Sequence, residues 1–380
     1  MHTLNLQNPD VQVLNTTASN LSEKKNIYFD VTTYDLRRNT GIERVVKELL
    51  NSLDMWLPEN FVVLPVIVDG DRGSLRRAIR IGYKWLPGEE IIIKKTSIFF
   101  GACLNVFLPS VLRKIQASGC MSFVMLYDLV YVKYPETMFS REFAKTLVEW
   151  LRCVSSYSTV VIAISKTVQK EYLQWLDQNE FKNRPVTEFV HLGCDFSNFD
   201  ERQSSLPKAI NLNKLNLLAV STVEPRKGYP LLLDAFKSAL KMGLRANLFI
   251  VGKQGWGPSL ERSLSCTPFV YWFKNSPDAL LSKLYACSDV FVSSSIYEGF
   301  GLPLLEASNY KLPLILRDIP VYREIAGNNA LFFNDTKGLT EIFLKLNKDK
   351  SCLKVNDLKV TRWLETTKRI AEIIEKVANK

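Results

Sequence analysis

Histidine is almost missing from this 380-residue chain, which has only His2 and His191. Two imidazoles cannot build a histidine-rich metal centre, and a serine-histidine triad has almost nothing to draw on. His191, within Phe189-Val-His-Leu-Gly193, reads as a packed histidine near a strand end. The seven cysteines (Cys103, Cys120, Cys153, Cys194, Cys266, Cys287 and Cys352) are scattered singly with no CxxC pair. An odd, unpaired set suggests neither a disulfide framework nor a zinc site. The longest apolar runs, such as Phe61 to Val68 and Val160 to Ile164, fall far short of the roughly 20 residues a spanning helix requires. Residues 1–25 are polar, with no basic stretch leading into an apolar core, and do not read as a signal peptide. The expectation is a cytoplasmic protein.

What is present is apolar enough for two cores. The length points to two domains and hence to a cleft, and 47% hydrophobic with 23% charged residues is a globular composition. The net charge of +10 is partly local, because Arg72, Arg76, Arg77, Arg80, Lys84, Lys94 and Lys95 crowd one stretch. Arg72, Arg76 and Arg80 recur every fourth residue, so a helix there would carry a basic stripe beside Ile79, Ile81 and Trp85. Such a stripe suits the anionic inner face of a membrane or a phosphorylated acceptor, and suits a solvated face equally well. No recognition motif accompanies the charge, so nucleic acid is not the expected partner.

Segments alternate along the chain. Asn26 to Val31 reads as a buried strand, and Gly41 opens Ile42, Val45, Val46, Leu49, Leu50 and Leu53 at helical spacing. Phe61 to Val68, Ser97 to Phe100, Ser122 to Tyr127 and Thr159 to Ile164 are further strands, with helices at Arg141 to Val154 and Lys166 to Leu176. The polar stretch Glu201 to Lys214 places a boundary between domains 26–205 and 206–358. Beyond it, strands at Asn216 to Val220, Asn247 to Val251, Val290 to Ser293 and Pro313 to Leu316 alternate with helices at Pro230 to Met242, Pro277 to Cys287 and Leu302 to Asn309, a parallel-sheet signature. Residues 359–380, with Ile370, Ile373, Ile374 and Val377 on one side, form a terminal helix that can pack back on the first domain.

Ligands of open α/β sheets bind beyond the carboxyl ends of the strands, so the loops there carry the chemistry. Tyr297-Glu-Gly-Phe-Gly-Leu-Pro-Leu-Leu-Glu-Ala307 follows one such strand, with Gly299 and Gly301 leaving amides uncovered where a helix begins near Leu302. A helix start of that kind binds anions. Glu306, one turn in, can accept both hydroxyls of a vicinal diol such as a ribose, and Glu298 can hold a sugar hydroxyl or counter positive charge. Ser221-Thr-Val-Glu-Pro-Arg-Lys-Gly228 follows another strand, where Arg226 and Lys227 suit a pyrophosphate. Facing them would be Gly41 in Asn39-Thr-Gly-Ile-Glu-Arg44. Each of these has an ordinary structural reading on its own; order and spacing combine them.

Together, Glu298 to Glu306, Glu224-Pro-Arg-Lys-Gly228, Ala286 to Ser294 and Gly41-Ile-Glu-Arg44 resemble the retaining GT-B glycosyltransferases of family 4, nearest to bacterial mannosyl- and rhamnosyltransferases of surface polysaccharide synthesis. The resemblance implies two Rossmann-like doubly wound domains facing a central cleft, with an acceptor domain first and a nucleotide-sugar domain second. It implies that Glu306 holds the ribose, that Glu298 with the Gly299, Phe300 and Gly301 amides and Leu302 contacts the donor, and that Arg226 and Lys227 neutralise the leaving diphosphate. No metal or cofactor is implied beyond the nucleoside-diphosphate sugar. The acceptor would be a saccharide or lipid-linked. The family often has a His-Asp pair where this chain has Tyr127 and Asp128; Asp128 keeps the catalytic place and Tyr127 remains a donor-site hydrogen-bond donor. Ser221 and Thr222 also stand where a glycine is frequent.

Other readings compete. Asp69-Gly-Asp71 matches the metal-binding triplet of GT-A transferases. A non-catalytic descendant of the GT-B fold, serving as a scaffold in a polysaccharide assembly complex, is supported by Tyr127 and opposed by Glu298, Glu306, Arg226 and Lys227; an epimerase or phosphorylase shares the architecture. Gly252-Lys-Gln-Gly-Trp-Gly257 has neither dinucleotide-loop spacing nor a following Walker pair, which disfavours a dehydrogenase or kinase.

Overall fold

The structure, a computed structural model, describes residues 24–35, 41–81, 84–195, 206, 210–274, 276–349 and 358–379. The polar N-terminal stretch, Asn39, Thr40, His2, Cys352 and most of Glu201 to Lys214 lie outside them.

In the first half, β1 (Lys25–Asp30), α1 (Gly41–Ser52), β2 (Phe61–Asp69), β3 (Ser74–Ile81), β4 (Lys84–Ile91), β5 (Ile98–Gly101), α2 (Pro109–Ala117), β6 (Met121–Leu126), α3 (Val130–Lys133), α4 (Arg141–Tyr157), β7 (Val160–Ala163), α5 (Lys166–Gln178) and β8 (Val186–Phe189) follow one another. Their strands form one sheet in the order β4-β3-β2-β1-β5-β6-β7-β8. From β2 to β8 all neighbours are parallel. Side chains alternate between the two faces of a strand. Ile27, Phe29, Phe100, Phe123 and Met125 therefore pack against α1, while Tyr28, Phe99, Val124 and Leu126 pack against α2, α4 and α5.

The second half contains β9 (Leu215–Val220), α6 (Tyr229–Lys241), β10 (Ala246–Val251), α7 (Glu261–Cys266), β11 (Val270–Phe273), α8 (Asp278–Ala286), β12 (Val290–Ser293), α9 (Leu302–Asn309), β13 (Leu314–Arg317), α10 (Pro320–Ala326), β14 (Ala330–Phe333), α11 (Thr336–Lys348) and α12 (Trp363–Ala378). Its sheet is wholly parallel, in the order β11-β10-β9-β12-β13-β14. That is the doubly wound pattern, with the strand order reversing between β9 and β12. α12 lies on the first domain: Ser52 and Thr367 hydroxyls meet at 3.0 Å, and Thr366 Oγ1 donates to the His191 carbonyl at 2.8 Å. A Cβ on Gly193 would lie 2.2 Å from the Trp363 nitrogen, so only glycine admits the helix there.

The basic stripe that a helix would carry here does not form, because Ser74 to Ile91 is the antiparallel hairpin β3–β4 added to the edge of the first sheet. Spacing of four among the arginines fitted a helix, but Asp69-Gly-Asp-Arg-Gly73 is a reversal, with Gly73 at φ +57°. Alternation of Ile79 and Ile81 with arginines then gives a strand. The arginines do not form one helical stripe. Ile79, Ile81 and Leu86 are exposed at the hairpin's free end, with Arg77 exposed beside them. β4 carries Pro87, Glu89 and Glu90, which blunt it as a sheet edge.

Candidate active site

Between β9 and β12 the helices leave on opposite faces, and the loops after these strands are left side by side. The Ile296 amide donates to the Arg226 carbonyl at 2.9 Å, and Ser294 Oγ donates to the Lys227 carbonyl at 2.8 Å. Gly228, at φ +67°, makes the approach possible, since a Cβ on it would stand 2.2 Å from the Ser294 carbonyl oxygen. Pro225 to Lys227 forms one 3-10 turn before that glycine, which delivers both cations towards the neighbouring loop.

There they meet Glu298. Its Oε2 accepts from Arg226 at 3.0 Å, and its Oε1 accepts from Lys227 at 2.6 Å and from Ser295 Oγ at 2.7 Å. Burial alone would push the Glu298 carboxyl up, but the Lys227 and Arg226 charges overcome it and bring it to about 2. Glu224 Oε1 pairs with Arg226 Nε at 2.6 Å. Burial works against the Arg226 charge, yet Glu298, Glu224 and Asp128 more than offset it and hold the guanidinium above its ordinary value. Lys227 is held below its ordinary value by burial and by Arg226, with Glu298 opposing. The first domain contributes Asp128, whose carboxyl is raised by burial against the pull of Arg226. Three carboxylates and two cations thus share one buried cluster that spans both domains.

The loop from Tyr297 to Gly301 is gripped from the first domain. A Cβ on Gly299 would fall 1.8 Å from the Tyr127 carbonyl oxygen, and the Gly299 carbonyl accepts from Ser165 Oγ at 2.9 Å. Tyr297 Oη accepts from the Leu129 amide at 3.0 Å and donates to Glu171 at 2.7 Å. Tyr127 meets this loop with its backbone, because its hydroxyl donates to the Ala102 carbonyl within its own domain. Phe300 is buried with its ring 5.7 Å from His191. Gly301, at φ +110°, caps α9, and a Cβ on Gly41, at the described start of α1, would stand 3.4 Å from Leu302 Cδ1 at the first position of α9. One turn into each helix, Arg44 of α1 and Glu306 of α9 form an ion pair across the domains. Glu306 also accepts from Tyr285 Oη at 2.7 Å.

Three partners were not assigned from sequence: Tyr285, Ser295 and Glu324. Glu324, on α10, accepts from the Lys166 and Thr167 amides at 2.8 and 2.7 Å, and so covers the amino end of α5 in the other domain. It also stands 2.7 Å from His191 Nε2, so this histidine is paired with a carboxylate rather than merely packed. Arg44 and Glu224 lie inside the motifs that drew attention but carried no role of their own. No signal along the chain announces a pairing such as Glu324 with His191, whose partners lie in different domains.

Asp69 sits in the β2–β3 reversal, 3.9 Å from both Arg72 and Arg76. Among the described residues no third histidine, cysteine or carboxylate gathers with Asp69 and Asp71.

Residues 200–359 match the family described as glycosyl transferases group 1. The chain carries a group 1 glycosyltransferase domain. Serotype-specific mannosyltransferase WbdA of Escherichia coli is 32% identical over 326 residues, covering 78% of this chain and 39% of the relative. A second WbdA sequence is 31% identical over 373 residues, covering 89% of this chain and 44% of the relative. The chain therefore spans about two fifths of the length of these relatives. Among solved structures, Anabaena HepE in complex with UDP and glucose superposes with a TM-score of 0.64 at 14% identity, covering 94% of this chain and 100% of that one. Sucrose-phosphate synthase from Thermosynechococcus elongatus superposes with a TM-score of 0.61 at 16% identity, covering 93% of this chain and 95% of that one. The fold is therefore GT-B, which removes the GT-A reading of Asp69 and Asp71.

Proposed function

We propose that this glycosyltransferase moves a hexose from a nucleoside-diphosphate sugar to a saccharide or lipid-linked acceptor in cell-surface polysaccharide synthesis, with retention at the anomeric carbon and without a metal. The observation that carries the reading is the Arg226–Glu298–Lys227 cluster at the β9/β12 crossover, one loop from Glu306 on α9. Mannose is the first sugar to test, because the relatives are named as mannosyltransferases; rhamnose is the second.

Glu298 holds two buried cations in place through its two carboxylate oxygens. A departing diphosphate would meet those same cations, and donors set in advance where charge develops lower the barrier most effectively. Glu306 would accept the ribose hydroxyls. Glu298 would turn to the sugar once the phosphates engage Arg226 and Lys227. Substitution with retention then requires the acceptor to attack on the face the diphosphate leaves, through an oxocarbenium-like state. Asp128, raised by burial beside Arg226, stands on the acceptor-domain side of this cluster, with Gly41 and the Gly299, Phe300 and Gly301 amides around the donor. Tyr127 shapes the loop through its carbonyl.

Peripheral contact with an anionic inner membrane surface belongs to the same proposal, now through the β3–β4 hairpin within Arg72 to Lys95. Its free end presents Ile79, Ile81 and Leu86 beside basic residues. A mass-spectrometric screen of sugar nucleotides against lipid-linked saccharide acceptors, with NMR of the product anomer, tests the reading. It expects one sugar to be transferred with retention in the presence of EDTA. Binding of no nucleoside diphosphate would favour the scaffold instead.

A further inference from the structure

The carboxylate of Glu306 is also a docking point between the domains. It is only 5% exposed and paired with Arg44, which is itself 18% exposed. Burial works against the Arg44 charge, and Glu306 more than offsets it. Tyr285 approaches from Glu306's own domain, its hydroxyl on the other carboxylate oxygen and its ring stacked on Tyr310 with centroids 5.3 Å apart. A carboxylate has about four acceptor sites. Arg44 and Tyr285 take two of them and fix the plane of the group, leaving places for a diol. The pair exists only while α1 and α9 face each other end to end, with Gly41 against Leu302. Separating the domains breaks this pair and gives up its attraction, which favours the apposed arrangement.

We propose that Arg44 is a positioning residue that ties donor binding to apposition of the domains, by orienting the Glu306 carboxylate and holding α1 over the nucleotide site. This rests on the reading of Glu306 as the ribose ligand. A ligand that needs the apposed state binds more weakly when that state loses one of its contacts, because its apparent affinity falls with the population of the competent form.

The test is calorimetric titration with GDP and UDP, together with donor kinetics, on Arg44→Gln, Arg44→Lys, Glu306→Gln and the Arg44→Gln/Glu306→Gln double variant. Arg44→Gln is expected to weaken binding about tenfold and to raise the donor KM in step, with kcat falling far less. Arg44→Lys should recover part of the loss, and if Arg44→Gln does not fold, its intermediate affinity carries the test. The double variant should bind little worse than Glu306→Gln, because both changes break one pair. Binding by Arg44→Gln as tight as or tighter than the native protein, while Glu306→Gln is weak, would overturn the role of Arg44 and leave the ribose reading intact. Native binding by Glu306→Gln would overturn both.

Discussion

Replacing Glu324 by glutamine removes one negative charge from the contact in which α10 covers the start of α5. The carboxylate accepts from two backbone amides and the Thr167 hydroxyl and faces His191, at distances between 2.5 and 2.8 Å. Burial pushes its carboxyl up, but these hydrogen bonds, with His191 first among them, bring it from 4.5 to about 2. That fall corresponds to roughly 3 kcal/mol at 1.36 kcal/mol per pH unit. Solvent around the half-buried group reduces the figure to about 2 kcal/mol. Because the folded-state value lies below the ordinary one, this stabilisation is complete above about pH 5 and fades as pH falls from 4.5 towards 2. Thermal melts of native protein and Glu324→Gln from pH 7.5 to 3.5 read it out. The variant should melt about 3 °C lower near neutrality, and the gap should narrow steadily below pH 4.5. A gap of constant size down to pH 3.5, or no gap at pH 7.5, would refute the charged cross-domain cap.

Further outcomes follow from the same contacts. Glu298→Gln leaves Arg226 and Lys227 short of a counter-charge, so turnover should fall at least about tenfold. The alkaline limb of its pH–rate profile should move to lower pH as Lys227 loses the partner that opposes its lowering; an unchanged profile would contradict this. Lys227→Ala should mainly slow turnover while Glu306→Ala mainly weakens donor binding, and steady-state kinetics of both separate the two roles. An Ile79→Ser/Ile81→Ser variant should lose co-sedimentation with phosphatidylglycerol vesicles at low salt; equal sedimentation of native protein with neutral vesicles would remove the membrane contact.

Which features were legible in the sequence follows from how local their causes are. Buried parallel strands such as Ala246–Val251 announce themselves as short apolar runs between helical patterns. The loop before α9 was legible because glycines, a first-turn proline and two glutamates are fixed within a few residues of one another. Over the β3–β4 hairpin, arginines four apart imitate a helix, and the deciding signal is the Asp-Gly reversal that holds the first of them. The direction of Tyr127 was hidden, since only the fold says that its hydroxyl reaches Ala102. Cross-domain pairs were the least visible: Arg44 and Glu306 lie 262 positions apart, and Glu324 and His191 lie 133 apart. Such pairs depend on how two sheets are placed, and no local spacing encodes that.

The proposed transfer depends on Arg226 and Lys227 holding the diphosphate of the donor. Calorimetric titration of GDP and UDP into the native protein and an Arg226→Ala/Lys227→Ala variant measures this directly. Binding of one of the two by the native protein and a loss of about a hundredfold or more in the variant is the result expected. Equal affinity in both proteins would contradict it.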